Sequence, residues 1–429
     1  MGIALLLAFI LTMAIGVPIA FVMGGSGLVA LVVQGNFSLL SVPQRFFNGI
    51  NSFPLMAVPF FILAADLMSA SAITSAILRF TNSLVGHIRG GLGHVNVLTN
   101  MIFAGISGSA LADAAGPGAI MMRMMWRAGY EKHYAAALSA ATATIGPIIP
   151  PSIIMVIYAI SDSRVTVAGL FMAGIIPGIL LGVGLAVANH IMSLKLGYKF
   201  DRKKVTFTER LISFWKALPA LFMPVIIVGG ILTGLFTATE SAAVAVVYAL
   251  FVGLFVTRVL NGQIIAKVFL QSSLVTSAAL LIVAMASLFA WILTVLQLPQ
   301  DIAHAIGTVT SSPLGVMLIV ALFVLICGFF IDTLPAVIIL VPVLAPLCDQ
   351  FHINPLHFAM AIVLNLTIGM ITPPVGGVLF VVTSVSRLKF ENICKAIGPF
   401  LFSELAVLLL VILFPSISLV VPTSLGFAR

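Results

Sequence analysis

The chain has 429 residues, of which 61% are hydrophobic and only 7% charged, and it carries a formal net charge of +8. Soluble domains carry about a quarter charged residues, so this composition excludes a water-soluble globule. The basic excess is no nucleic-acid surface either, because seven of the twenty Lys and Arg fall in one stretch, 195–216.

The opening segment MGIALLLAFILTMAIG has no basic region before its apolar run, so it reads as a first membrane helix and not as a cleaved signal. Further apolar runs at 134–160, 168–194, 218–237, 241–257 and 397–421 have the length of membrane spans, and none alternates as a barrel strand would. The fold class is therefore an all-α polytopic membrane protein. Arg79 and Arg89, then Arg123, Arg127 and Lys132, the stretch 195–216, Arg258 and Lys267, and finally Arg387, Lys389 and Lys395 mark cytoplasmic loops. Segments 297–313 and 348–355 hold no Lys or Arg and read as outside, as do both termini. Cys327, Cys348 and Cys394 are widely spaced, lack a metal-ligand pattern and read as packing residues.

Residues 95–122 have cytoplasmic loops at both ends, so they enter the membrane and return. At about 1.5 Å per residue the arm 95–104 reaches some 15 Å, half of a hydrocarbon core. That places GISGSALADAAGPGAI, 105–120, at the tip of a re-entrant hairpin, where broken backbone is tolerated only inside protein or beside a watery cavity. An offset of 223 residues lays Gly105–Ala110 on Gly328–Thr333, and TIGPIIPP, 144–151, on TIGMITPP, 367–374. Two features at one offset point to internal duplication. The second hairpin, 314–347, is bounded by outside loops, so the repeats are inverted. The expected division is a first repeat over 1–194, a basic linker at 195–216 and a second repeat over 217–429.

Interrupted helices at matching positions of inverted repeats are the mark of a secondary transporter. Ser109 and Asp332 are natural N-caps for the returning arms, and each Pro-Pro pair removes backbone donors and frees carbonyls. Two tips and two kinks together make a site for an anion with cations. Ser107, Ser152 and Asp332 are the expected lining of the anion cavity. Sodium is expected at Ser107, Ser109, Thr144 and Gly146 in one half and at Asp332, Thr333, Thr367 and Gly369 in the other. Asp113 reads as a capping or pairing residue, and Glu240 as scaffold.

The segments LVGHIRGGLGHVNVL, FAGISGSALADA, TIGPIIPPS, GGILTGLFTATESAAVAVVYAL and NLTIGMITPPVG resemble the large membrane subunit of tripartite ATP-independent periplasmic (TRAP) transporters across essentially the whole chain. The resemblance implies Na⁺-driven import of an organic acid, of the sialic acid or dicarboxylate class, through the bacterial inner membrane. It implies a periplasmic substrate-binding protein and a small four-helix membrane subunit as partners. It also implies an elevator, with a transport domain of about 95–160 plus 314–384 sliding against the remaining scaffold. Gly116-Pro117-Gly118 departs from the Ala-rich helix expected in the first return arm. Two other readings stand beside this one: a different inverted-hairpin transporter or antiporter, and an intramembrane serine protease using GISG and His190. No phosphate-binding loop of the G-x-x-x-x-G-K-[ST] type occurs, so ATP hydrolysis is not expected.

Overall fold

The computed structural model describes residues 1–35, 40–198 and 205–427, and among these every regular element is helical. The chain opens with α1 (Gly2–Ala14), α2 (Ile19–Gln34), α3 (Ser41–Ile50), α4 (Ala57–Ala70) and α5 (Ile73–Val85). With 13 residues, α1 is about 20 Å long, too short to cross a bilayer core upright, and it packs along α2. Next come α6 (Gly91–Ser107), the four-residue α7 (Ala110–Asp113) and α8 (Ala119–Arg127). A π turn over Ala114–Gly118 joins α7 to α8, so the departure at Gly116-Pro117-Gly118 does not end the helix. Pro117 cannot donate to the preceding turn, and widening by one residue absorbs the missing bond. The first hairpin is thus longer than expected at both ends, and its entering arm of 17 residues spans roughly 25 Å instead of 15 Å.

The middle of the chain runs through α9 (Lys132–Ala143), α10 (Ile153–Ser161), α11 (Val167–Lys195), α12 (Phe207–Leu232) and α13 (Ala238–Phe251). Thr206 and Glu209 form a reciprocal capping box that starts α12, so the stretch read as a linker is helical from Phe207 onward. Its centre, 199–204, lies outside the described residues. Glu240 closes the same kind of box with Thr237 at the start of α13.

The 34-residue α14 (Gly262–Val295) is followed by α15 (Leu298–Val309) and α16 (Pro313–Gly328), which meet at 120°. The chain ends with α17 (Thr333–Leu344), α18 (Leu347–Gln350), α19 (Pro355–Gly369), α20 (Gly377–Ser386), α21 (Phe390–Leu413) and α22 (Ser416–Ser424). Pro313 and Pro355 stand at helix starts, where a missing N–H costs nothing, behind the caps Ser312 and Asn354. Among the described residues seven helices, counting α4 with the short turn before it, α13 with the π turn after it and α17 with α18, are long and apolar enough to cross a membrane. The offset of 223 reappears in the element starts: 110 and 333, 132 and 355, 167 and 390.

The centre of the molecule is built from the broken elements. Every residue from Tyr134 to Ala143 on α9 and from Leu356 to Gly369 on α19 is buried. α10 packs on α17 and α9 on α20 and α21, so elements of the two halves interleave. α1, α12 and α14 instead present large aliphatic side chains outward, as lipid-facing helices do.

Candidate functional site

Each tip is closed by its own local chemistry. α6 stops where Gly108 takes φ +60°, and a Cβ there would stand 2.6 Å from the Pro151 carbonyl oxygen. Glycine thus lets the first tip lie directly on the first kink. The Ser107 hydroxyl donates to Asp113 Oδ1 across the tip, and the Ser109 hydroxyl accepts from the Ala112 N–H at 3.5 Å. Asp113 is fully buried, its Oδ2 has no partner, and that oxygen lies against the Gly146 backbone.

At the second tip Asp332 caps α17, its Oδ1 accepting from the Thr333 N–H at 2.8 Å. The Thr333 hydroxyl donates to the Leu366 carbonyl at 3.4 Å. Gly328 and Gly369 pack backbone on backbone, which again seats a tip on a kink.

A cavity of about 480 Å³ lies between the tips. Ser107, Ser109, Asp332 and Thr333 line it, with Pro147 and Met370 from the kinks and residues of α2, α4 and α14 completing the wall. Asp332 is accessible although its helix is buried, because its carboxylate opens onto this space.

The kinks hold the other expected residues differently. Both Pro-Pro bonds, 150–151 and 373–374, are cis. Ser152 does not line the cavity: its hydroxyl donates to the Pro147 carbonyl at 2.6 Å and accepts from the Met155 N–H at 3.2 Å. Its place as the cap of α10 turns it inward and consumes a carbonyl that the proline would otherwise have freed. The Thr367 hydroxyl donates to Val363 of its own helix at 2.7 Å. The Thr144 hydroxyl lies 2.5 Å from the Ala141 carbonyl and 2.9 Å from Glu404 Oε1. Gly146 and Gly369 do adjoin their tips, through backbone alone.

Two acids escaped the sequence reading. Asp66 lines the cavity from α4 and accepts from the Ser272 hydroxyl of α14 at 2.6 Å. Glu404 on α21 is fully buried, and its Oε2 has no partner. The signal was a lone carboxylate in an apolar run, ILAADLMSA or FLFSELAV, which inside a membrane marks function by default. Among the described residues no group of three His, Cys, Asp or Glu could hold a metal.

The family model described as "Tripartite ATP-independent periplasmic transporter, DctM component" matches residues 6–417. The chain belongs to this family. It is 39% identical to the sialic acid TRAP transporter large permease protein SiaM of Vibrio cholerae, over 95% of each chain. It is also 39% identical to the C4-dicarboxylate TRAP transporter large permease protein DctM of Pseudomonas aeruginosa, again over 95% of each chain. Among solved structures, the YdaH transporter of Alcanivorax borkumensis superposes with a TM-score of 0.68 over 99% of this chain and all of that one. At 13% identity that likeness speaks to fold alone. TRAP large permeases transport sialic acid, dicarboxylates and related acids, together with a small membrane subunit and a periplasmic binding protein. The chain is thus a permease subunit of a multi-pass membrane transporter and not an enzyme. Membership removes the serine-protease reading of GISG. Ser107 spends its proton on Asp113, and among the described residues no histidine bonds to it, so the base that a serine nucleophile requires is missing.

Proposed function

We propose that this permease imports an organic acid through the bacterial inner membrane, driven by a Na⁺ gradient and loaded by a periplasmic binding protein. The observation that carries the reading is the cavity between the two capped tips, each tip seated on its own kink. The anion's carboxylate meets the N-terminal ends of the two returning helices, 110–127 and 333–344, where helix dipoles favour negative charge. Sodium takes backbone and hydroxyl oxygens where tip meets kink. In the first half these come from Ser107, Ser109 and the Thr144–Gly146 backbone, with Asp113 supplying charge. In the second half they come from Asp332, Thr333 and the Thr367–Gly369 backbone. A cation beside Asp332 also relieves its repulsion of the substrate carboxylate. The transport domain, about 95–160 plus 314–384, carries tips and kinks together as an elevator past α4 and α14. A small four-helix membrane subunit completes the scaffold.

The test is uptake of radiolabelled organic acids by proteoliposomes holding both membrane subunits, with candidate binding proteins and with or without a Na⁺ gradient. Uptake should require both the binding protein and inward Na⁺. Asp332→Asn should cut it at least tenfold while the protein remains folded and inserted. A variant that transports at wild-type rate and affinity reduces Asp332 to a helix cap, worth about 1 kcal/mol. Uptake indifferent to Na⁺ overturns the coupling.

A further inference from the structure

The cavity proposed for an anion contains two carboxylates, Asp66 and Asp332, and among the described residues no Lys, Arg or His lines it. The two acids belong to different parts of the wall. Asp332 sits at the second tip, whereas Asp66 sits on α4, in a lining to which α4 and α14 otherwise contribute only apolar residues such as Ile62, Val275 and Ile282. The Ser272 hydroxyl donates to Asp66 Oδ2, and Asp66 remains part of the cavity lining. An ionised carboxylate accepts hydrogen bonds and donates none. In the low dielectric of a membrane interior, like charges across such a space repel strongly.

We infer that Asp66 is a specificity-determining residue, selecting a monocarboxylate that carries hydroxyl or ammonium donors over a dicarboxylate. The inference rests on the transport reading above and narrows its substrate class. One carboxylate is accommodated at the tips, by helix N-termini and bound cation. The second carboxylate of a diacid that reaches the α4–α14 wall meets Asp66 and aliphatic carbon, with no basic side chain among the described residues of the lining. A hydroxyl or ammonium group at the same place donates to Asp66. The cavity of about 480 Å³ also has room for a hydroxylated acid of six or more carbons.

The experiment measures binding to the purified complex of the two membrane subunits, without the binding protein, so that any selectivity is the permease's own. Gluconate, N-acetylneuraminate, lactate, succinate and fumarate are titrated in NaCl and in KCl, with thermal stabilisation as the readout. At least one hydroxylated monocarboxylate should bind tenfold or more tightly than succinate in NaCl. Asp66→Asn should narrow that ratio at least tenfold, by weakening the hydroxy acid and admitting the diacid. Ser272→Ala, which loosens Asp66 but keeps its charge, should preserve the ratio. Succinate binding as tightly as the best monocarboxylate, or an unchanged ratio in Asp66→Asn, overturns the inference. So does a collapse of the ratio in Ser272→Ala, which would make Asp66 a mere tie between α4 and α14. If the wild-type complex binds no acid in either salt, the transport reading itself has failed, an outcome distinct from binding the wrong acid.

Discussion

Replacing Gly369 by alanine places a methyl group where the second kink meets the second tip. Its Cβ would stand 2.8 Å from the Gly328 carbonyl oxygen and 2.9 Å from both the carbonyl carbon and Cα of that residue. Carbon needs about 3.5 Å, so tip and kink must part by roughly 0.6 Å or more. Both obstructing groups are backbone, and no rotamer change relieves the overlap. Overpacking of this kind costs about 1–3 kcal/mol. If the strain is relieved by opening the tip–kink contact, the cost falls on the proposed cation site, and Na⁺ affinity should drop by about 5–150-fold. The assay is the Na⁺ concentration for half-maximal uptake in proteoliposomes, alongside the melting temperature in detergent. Gly229→Ala is the control, because a Cβ there meets nothing within 4 Å and the residue lies inside α12. That variant should keep its Na⁺ dependence and gain up to about 1 kcal/mol of helix propensity. A Gly369→Ala protein indistinguishable from the control in both measurements refutes the reasoning.

Thr144→Val leaves both Glu404 oxygens without a partner, and stability should fall by about 1–3 kcal/mol. Adding Glu404→Met should restore most of that loss, and a double variant no more stable than Thr144→Val counts against the bond. In a background with Cys327, Cys348 and Cys394 replaced by alanine, Gln350→Cys should label with an impermeant thiol reagent from outside. Lys204→Cys should label only after permeabilisation, and labelling from outside would invert the topology.

Much of the architecture was legible because it rests on residues that break helices. Prolines, glycines and N-cap side chains act within a few positions of themselves, so the two kinks, the caps Ser109 and Asp332 and the common offset all showed in the chain. What stayed hidden depends on packing between distant segments. Ser152 has the hydroxyl and the position for a cavity residue, yet its own cap geometry turns it toward Pro147. Nothing local to Thr144 announces Glu404, which comes from the last long helix. Asp66 reads as one acid in an apolar run until α4 is set against α14. The close approach of Gly328 to Gly369 is likewise invisible, since each glycine alone reads as a helix breaker.

The Thr144–Glu404 bond also bears on how the chain is made. Its partners are 260 residues apart, and at about 5–20 residues per second the ribosome needs roughly 13–50 s to deliver the second after the first. During that interval the first kink has entered the bilayer without the helix that later covers it. A stranded hydroxyl in hydrocarbon costs several kcal/mol. Thr144 escapes this because its hydroxyl also reaches the Ala141 carbonyl of the preceding turn, and Thr367 has the same arrangement with Val363. The back-bond keeps the Thr144 hydroxyl satisfied in the unfinished protein until the last long helix arrives.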